Sequence, residues 1–412
     1  MSNRSLWFLV IPCTLAVAGS LFFSARVHAD DAPPFRTDAN PDTSLKWYRI
    51  VDGEFPPAGS AHAISGELVQ CDHPERRFRI RVDRDDSQQV SHFDLPIEAA
   101  MLPYGAIYYH GGPAALQDIP LGTHLRGEFY LRDPADTAPP LAGRHQRHSA
   151  DWEFQRCLRL EDDFSYHARR QQTWRIDGVD LAGQKLTATL VDGGQAGGGK
   201  PVGPPKTFDL VSGTRVHVGN GFGSLESIAV GQEVQFNITW ATLHGPGRVR
   251  EIWLDEPSRQ LATALQLARH RDHVRDRGLP GWIEAVDDDK QIVTITFFDG
   301  VDPGLFNELT GIDEKPHGWP FSSREDDPKA PKGGIAVARE CLMTYEPIHD
   351  RKGGNILAIE EVPAEVGSSG VRISVKCCMM LEGFRPGHVV RFFPATWPVN
   401  TLPKEEQFHG RE

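Results

Sequence analysis

Three stretches of the chain share one pattern of alternating apolar and polar residues, and this repeat constrains the fold more than any other feature. In each copy a strand-like segment leads through an acidic turn into a second strand-like segment that ends in Asp. Ile176 follows Leu68 by 108 positions, and Ile283 follows Ile176 by 107. Alternation of this kind places one face of a strand in a core and the other in water. Self-similarity at a regular spacing therefore predicts three copies of one small β unit. The copies open at residues 66–83, 176–193 and 283–300.

A second block recurs in each copy and predicts how the unit ends. Its pattern is Leu, two residues, an apolar residue, two residues, Gly, two residues, and then Leu or Val. The block begins at Leu116, Leu225 and Leu381. The Gly permits a tight turn into a last strand. A unit of about five strands with such a step suits a small closed barrel, because closing the sheet removes the edges that an open meander exposes.

The order of these blocks resembles the OB-like small barrels that occur in tandem in exported bacterial proteins of uncertain role. The resemblance covers residues 63–132, 172–242 and 280–398. An SH3-like barrel fits the same pattern almost as well, so both remain open. The fold class that we expect is mainly β, with three tandem small closed β-barrels, OB-like or SH3-like, and one connecting helix.

That helix is predicted at residues 257–278, between the second and third copies. Ser258 can cap its first turn, apolar residues recur at helical spacing, and Gly278 ends it. The third copy is longer than the others, because its Leu block follows that of the second copy by 156 positions, against 107 for the opening strands. The predicted organisation is a signal peptide at 1–29, a linker at 30–62, the first barrel repeat at 63–132, a linker with a junction strand at 133–171, the second repeat at 172–256, the helix, the third repeat at 279–398 with an insertion at about 300–335, and a tail at 399–412.

The N-terminus has the layout of a secretory signal peptide. Arg4 precedes an apolar run over residues 6–23, and Val27 and Ala29 stand at the two positions that a signal peptidase reads. An uncleaved membrane anchor is the alternative, although Pro12 and the many small residues weaken it. We therefore expect an exported protein, located in the periplasm, in the cell envelope or outside the cell, with no membrane contact beyond the leader.

The charge of the chain bounds its partners. The formal charge is −12, and it becomes −14 when Arg4 and Arg26 leave with the leader. Such an acidic surface repels a phosphate backbone, so a nucleic-acid partner is not expected. The partner that we expect is an unknown envelope protein or a polysaccharide.

Export would permit disulfides, and the cysteine count limits them. Five of the six cysteines follow the leader, an odd number that leaves at least one thiol unpaired within the chain. Cys377 and Cys378 lie in a predicted strand with their side chains on opposite faces, which favours one of them as a partner for Cys341. None of the cysteines has the spacing of a zinc ribbon or a haem attachment site.

Two segments share the pattern His-x-x-His-x-x-Asp, one in the linker after the first copy and one on the predicted helix. A His pair at this spacing can bind a metal ion, whereas the third ligand requires the helix to bend. Arginines interleave with both sets and disfavour a dication. A solvated surface is therefore the main interpretation and a metal site the alternative. The candidate ligands are His145, His148, Asp151, His270, His273 and Asp276.

The sequence carries no catalytic or cofactor signature. The stretch 194–200 has the spacing of a phosphate-binding loop, but Pro201 stands where a Ser or Thr would hold magnesium, and the prolines that follow forbid the required helix. A Gly-x-Ser-x-Gly nucleophile motif is also absent from the sequence. No cofactor is therefore predicted.

Loops and insertions are the expected contact surface, because repeated units share stability while insertions carry what is specific to each. Several tryptophans recur near strand ends, and Trp174 and Trp282 among them are expected to seal barrel mouths. An exposed pair of tryptophans would instead form a stacking platform for a sugar or a peptide. The candidate contact residues are Tyr108, Tyr109, His110, His317 and Trp319.

These observations favour an exported, non-enzymatic β-repeat protein that acts as an envelope-associated scaffold or binding module. The alternative is a secreted hydrolase or metal-dependent enzyme whose site is assembled between barrels. That alternative requires His and carboxylate side chains to converge in one cleft. A third interpretation is oligosaccharide binding on a barrel face.

Overall fold

Residues Phe35–Glu412 form one compact unit. The described part of this unit is mainly β. None of the helices in the described residues is long and apolar enough to cross a bilayer. The predicted leader at 1–29 lies outside the described residues. The computed structural model describes residues 35–40, 42–83, 96–135, 150–193, 199–239, 247–309, 334–337, 343–344, 351–352, 354–377, 379–394, 397 and 407–408.

The first sheet closes into a five-stranded barrel. Its strands are β1 (His62–Asp72), β2 (Arg77–Val82), β3 (Ile97–Tyr109), the short β4 (Gly112–Pro113), β5 (His124–Leu131) and β6 (Phe154–Asp162). The order around the barrel is β1, β2, β3, β6 and β5, and β5 pairs again with β1. The β3–β6 pair is parallel, and the other four pairs are antiparallel. The barrel thus takes its last strand from beyond residue 132, where the sequence placed the end of the first repeat, because a parallel partner for β3 needs its own returning connection.

The second sheet has the same closed topology. A short helix, α1 (Asp163–Arg169), joins the two barrels and was not predicted from the sequence. The strands that follow are β7 (Gln172–Asp180), β8 (Lys185–Asp192), β9 (Lys200–Pro201), β10 (Lys206–Val218), β11 (Gly221–Gly223), β12 (Glu233–Thr239) and β13 (Arg248–Trp253). The barrel closes in the order β7, β8, β10, β13 and β12, and only the β10–β13 pair is parallel. These five strands correspond to β1, β2, β3, β6 and β5 of the first barrel.

The helix α2 (Glu256–Arg277) leads into the third sheet and begins and ends one residue earlier than the sequence predicts. Its N-cap is Asp255, whose side chain accepts the N–H of Ser258, so Ser258 lies inside the first turn. Gly278 ends it with a φ of 84°. The strands of the third part are β14 (Leu279–Asp287), β15 (Ile292–Phe298), β16 (Gly334–Val337), β17 (Met343–Thr344), β18 (Arg351–Lys352), β19 (Gly354–Glu361), β20 (Ser368–Cys377), β21 (Val389–Phe393) and β22 (Gln407–Phe408).

The third sheet is not closed, so the prediction of three closed barrels was wrong for the third copy. The strands β14, β15, β20 and β21 correspond to the first four strands of the closed barrels. In those barrels the fifth strand joins the free edges of the third and fourth. Here β19 pairs with the edge of β20 and β16 pairs with the edge of β21. Strands from the long segment between β15 and β20 therefore occupy both edges, and within the described residues no strand bridges them.

The same bulge and the same turn recur in all three sheets and confirm the repeat. In each sheet the first strand skips one residue in its pairing with the second. The bulged residues are Val69, Asp177 and Glu284. Gly231, with a φ of 87°, donates its N–H over 2.8 Å to the carbonyl oxygen of Ile176, just before the bulge. Gly122 and Gly387 make the same bond in their sheets, also with positive φ.

Each sheet has its own apolar core, and a fourth apolar cluster joins the first barrel to the third sheet. In this cluster the ring of Trp282 lies 5.5 Å from the ring of Tyr104.

Cys377 is buried in the core of the third sheet. The disulfide partners predicted around it, Cys341 and Cys378, lie outside the described residues.

Candidate functional site

In the described part of the chain, an inter-barrel cavity and a basic cavity lie at joints between the sheets. The inter-barrel cavity has a volume of about 220 Å³ and lies between β5 and α1 on one side and β7, β10 and β12 on the other. The basic cavity has a volume of about 120 Å³ and lies where the first barrel, α2 and the third sheet meet. Concave sites at such joints are where proteins most often hold small ligands.

One wall of the inter-barrel cavity is a buried network of charges. His124, the first residue of β5, is 1% exposed. Its Nδ1 lies 2.9 Å from Oδ2 of Asp163, and its Nε2 lies 2.7 Å from Oδ2 of Asp83. Arg126 Nε donates over 2.9 Å to the other oxygen of Asp163. The network therefore ties β5 both to α1 and to the end of β2.

The charged groups of this network keep one another ionised by shifting one another's pKa values. Burial alone would lower the pKa of His124, but the carboxylates of Asp163 and Asp83 outweigh it and raise the pKa to about 9. Burial would also favour the protonated form of Asp163, yet His124 and Arg126 hold the pKa of that carboxyl well below its usual range. At neutral pH two cations thus face two carboxylates, and their charges cancel.

Lys206 adds a positive charge that this network does not compensate. It is the first residue of β10, it lines the cavity, and it is exposed. Its ammonium group has no ion-pair partner among the described residues. The described side chains that line the inter-barrel cavity therefore carry a net charge of about one positive unit at neutral pH.

The opposite wall of the cavity is aromatic. Trp174 of β7 stacks on Phe236 of β12 with their ring centroids 5.1 Å apart. Phe208 of β10 meets these two rings edge-on, at 5.2 and 4.9 Å. His167 of α1 lies 5.5 Å from Trp174, and burial lowers the pKa of His167 to about 4, so its ring is neutral at neutral pH. The indole Nε1 of Trp174 has no acceptor among the described residues.

The cap of α1 positions the charged network. Asp162 is the N-cap, and its Oδ1 accepts the N–H of Ser165 over 2.8 Å. Its Oδ2 accepts from Nδ2 of Asn237, on β12 of the second barrel, over 2.7 Å. Oδ1 of Asn237 in turn accepts the N–H of Phe164 over 2.8 Å. One Asn of the second barrel therefore holds the first turn of α1, and this places the next residue, Asp163, in the network.

The linker set of predicted metal ligands stays a prediction, because His145 and His148 lie outside the described residues. Asp151 lies in a short 3-10 turn, Ala150–Glu153, that precedes β6. Among the side chains that the structure describes, no group of three or more His, Cys, Asp and Glu is arranged to hold a metal ion.

The structure divides the helix set of predicted metal ligands. His270 and His273 both line the basic cavity, and Asp276 does not. His270 is 4% exposed, and neither of its ring nitrogens has a hydrogen-bond partner among the described residues. Burial lowers the pKa of His270 to about 4. Nδ1 of His273 lies 3.1 Å from Nε2 of Gln117. The spacing of the two histidines therefore places both side chains at one cavity. Arg76, Arg277 and Arg391 line the same cavity.

Three of the predicted contact residues lie at the joints of the first barrel with its neighbours or in its core. Tyr109 is 5% exposed in the core of the first barrel, and its ring stacks on His110 at 3.7 Å. His110 meets Trp253 of β13 at 4.8 Å. Tyr108 is half-buried, and its hydroxyl donates over 3.4 Å to Oδ1 of Asp299, just after β15 of the third sheet. The side chain of His110 therefore faces the second barrel, and that of Tyr108 faces the third sheet. The other two candidates, His317 and Trp319, lie outside the described residues.

Sequence reasoning missed the inter-barrel network because its members come from separate elements. His124 and Asp163 are 39 positions apart, and His124 and Asp83 are 41 apart. The one local signal was the acidic pair before Ser165, which matches a helix-capping pattern.

No family model, curated protein or solved structure matches the chain. The chemistry of the two cavities therefore carries the functional conclusion.

Proposed function

We propose that this chain is a binding protein whose inter-barrel cavity holds a small monoanion with an apolar ring. The observation that carries the proposal is the uncompensated ammonium group of Lys206, beside charges that cancel and opposite an aromatic wall. A single carboxylate would pair with Lys206. The ring of the ligand would pack against Trp174 and Phe208, since aromatic faces favour apolar rings.

The volume of the cavity supports a ligand of one ring. An apolar cavity of roughly 150 Å³ is enough to hold benzene. The inter-barrel cavity, at about 220 Å³, has room for such a ring and a carboxylate. A polymer would have to present a terminal unit of this size to enter it. An acidic terminal sugar of an envelope polysaccharide would also offer one carboxylate, with the C–H face of its ring as the apolar surface.

The geometry favours binding over hydrolysis, although His and carboxylate groups do converge in one cleft as the enzyme alternative requires. A general base needs a free lone pair within reach of the substrate proton. Both ring nitrogens of His124 bond to carboxylates, and its raised pKa keeps it protonated at neutral pH. His124 would therefore act as a fixed charge that holds Asp163 and Arg126 in place.

The two closed barrels are proposed to be OB-like. Their third and fifth strands run parallel, and their fourth strand returns to pair with the first. That order supports the Greek-key barrel of OB-folds over an SH3-like meander, in which consecutive strands pair. Export to the periplasm, the envelope or the medium remains part of the proposal, and the leader-like N-terminus supports it.

Titration with benzoate and benzamide tests the proposed ligand class, because the two probes share a ring and differ in charge. Binding is followed by NMR at the indole N–H of Trp174, identified with a Trp174→Phe variant. We expect benzoate to bind about tenfold more tightly than benzamide, the difference of one ion pair of about 1.4 kcal/mol. Lys206→Gln should remove that preference.

A matched control separates the cavity from general charge effects. Lys200→Gln removes the same charge from an exposed position on β9 that does not line the cavity, and it should leave the preference for benzoate unchanged. Equal binding of the two probes by the unaltered protein would contradict the proposal. Tight binding of neutral sugars that is indifferent to Lys206→Gln would instead favour oligosaccharide recognition.

A further inference from the structure

The basic cavity is surrounded by positive charge drawn from three parts of the fold. Arg76 comes from the turn between β1 and β2, Arg277 from the end of α2, and Arg391 from β21. The only acidic residue among the described residues that line the cavity is Asp299, whose carboxylate lies 3.6 Å from Nη2 of Arg159. Among the described residues that line the cavity, cationic side chains therefore outnumber carboxylates, in a chain whose formal charge is −12.

The imidazole of His273 on α2 reflects this positive environment. Burial lowers the pKa of His273 well below its usual value, and the charges of Arg277, Arg391 and Arg76 lower it further. Three guanidinium groups from separate elements thus act on one imidazole. His270 contributes a second imidazole ring, which is 4% exposed. Its two nitrogens have no partners among the described residues.

The carboxylates nearest to His270 are engaged elsewhere. Asp118 and Asp302 both act on the charge of His270. Asp118 accepts hydrogen bonds from Gln266 Nε2 over 3.1 Å and from the N–H of Ala115 over 2.9 Å. Asp302 pairs with Arg271, and neither of these two residues lines the cavity. Neither carboxylate hydrogen-bonds to His270.

Part of the site is already rigid. Arg76 has a φ of 50°, and its Nη2 donates to the carbonyl oxygen of Gly105 over 2.7 Å. Its Nη1 donates to the carbonyl oxygens of Leu102 and Pro103 over 3.3 and 3.2 Å. A guanidinium held in this way contributes charge to the cavity with little further loss of side-chain entropy when a ligand binds.

We propose that the basic cavity is a binding site for a small tetrahedral oxyanion with two negative charges, such as sulfate, phosphate or the head of a phosphate monoester. A volume of about 120 Å³ admits such an ion. Guanidinium groups favour oxyanions because they combine charge with directed N–H donors. An oxyanion oxygen would also give His270 the hydrogen-bond partner that the described residues do not supply. This site is independent of the inter-barrel cavity.

Isothermal titration of the full chain with sulfate, at constant ionic strength set with chloride, tests the proposal. We expect one sulfate per chain, and at least about tenfold weaker binding in Arg277→Gln and in His270→Leu. Arg385→Gln removes an exposed guanidinium before β21 that does not line the cavity, and it should bind sulfate like the unaltered protein. Circular dichroism checks that each variant folds, and Arg277→Gln keeps the test valid if His270→Leu does not.

Inorganic phosphate and methyl phosphate then distinguish the two sources of the ion. Tighter binding of methyl phosphate supports the head of an organic phosphate as the ligand, and tighter binding of inorganic phosphate supports the free ion. Failure of sulfate and both phosphates to bind above the chloride background overturns the proposal. Binding that is equally strong in Arg277→Gln and His270→Leu overturns it as well, because the anion would then lie elsewhere.

Discussion

Nδ2 of Asn237 donates a hydrogen bond of 2.7 Å to Oδ2 of Asp162, and this bond joins the second barrel to the helix cap that ends the first. Both residues are almost fully buried, at 1% and 0% exposure. Burial raises the pKa of Asp162, while the nearby charge of His110 and the donors around it oppose the rise. The carboxylate therefore depends on its donors, since a buried charge without them is strongly destabilising.

Replacing Asn237 by Asp should destabilise the joint between the barrels. The side chains have nearly the same size, but the new carboxylate cannot donate to Asp162 and places a like charge beside it. We expect the free energy of unfolding to fall by about 3 kcal/mol, measured by urea denaturation at pH 7. Asn220→Asp, at an exposed turn between β10 and β11, is the matched control and should change little. Equal losses in the two variants would show that the joint is not the cause.

The charged network around His124 should make the protein less stable in alkaline solution. The pKa of His124 is raised to about 9 in the folded state, against a reference of 6.5. A raised pKa stabilises the fold fully below 6.5, and this contribution is lost as the pH rises through 9. The shift corresponds to about 3 kcal/mol at most. Urea denaturation from pH 6 to 9.5 should show the loss, and His124→Gln should flatten the profile over this window.

The buried imidazole of His270 should make the protein less stable in acidic solution. Burial lowers its folded-state pKa to about 4 from the reference of 6.5. The unfolded chain then binds the proton more readily, so stability is lost as the pH falls from 6.5 toward 4. His270→Leu should therefore stabilise the protein increasingly over this interval, by up to about 3 kcal/mol at its lower end. A variant that loses stability in parallel with the unaltered protein from pH 6.5 to 4 would contradict this assignment.

The turn glycine of each repeat should resist substitution for reasons of backbone conformation alone. Gly231 has a φ of 87°, and a Cβ there would meet no atom within 4 Å. Gly231→Ala should therefore destabilise the second barrel by about 1 to 2 kcal/mol through backbone strain. Gly213 has equally open surroundings without a positive φ, so Gly213→Ala should be neutral or slightly stabilising. Thermal unfolding of the two variants measures the difference, and equal melting temperatures would refute the strain argument.

The repeat was accessible to sequence reasoning because its signals are local. The bulges fall at Val69, Asp177 and Glu284, at the same spacings that the sequence shows. The glycine of the second block takes a positive φ in every sheet, as a tight turn requires. Alternating side chains and a single glycine act within a few residues of each other, so one sequence is enough to reveal them.

The open third sheet was not accessible in the same way. Strands β16 and β19 cover the edges of β21 and β20, and both come from the long segment between β15 and β20. Whether an edge pairs with an inserted strand or with the closing strand of its own repeat depends on register and docking between distant segments. The alternation within each strand is the same in either case.

The sequence by itself determined the repeating β unit, the turn glycines and the helix after the second barrel, because each follows from interactions between near neighbours in the chain. Only the tertiary structure decided which sheets close, and which charged side chains face each other. Lys206, His124 and Asp163 share one cavity although they come from two barrels and a helix. Their energies depend on distances of a few ångströms between residues that are far apart in sequence, and those distances exist only once the barrels have docked.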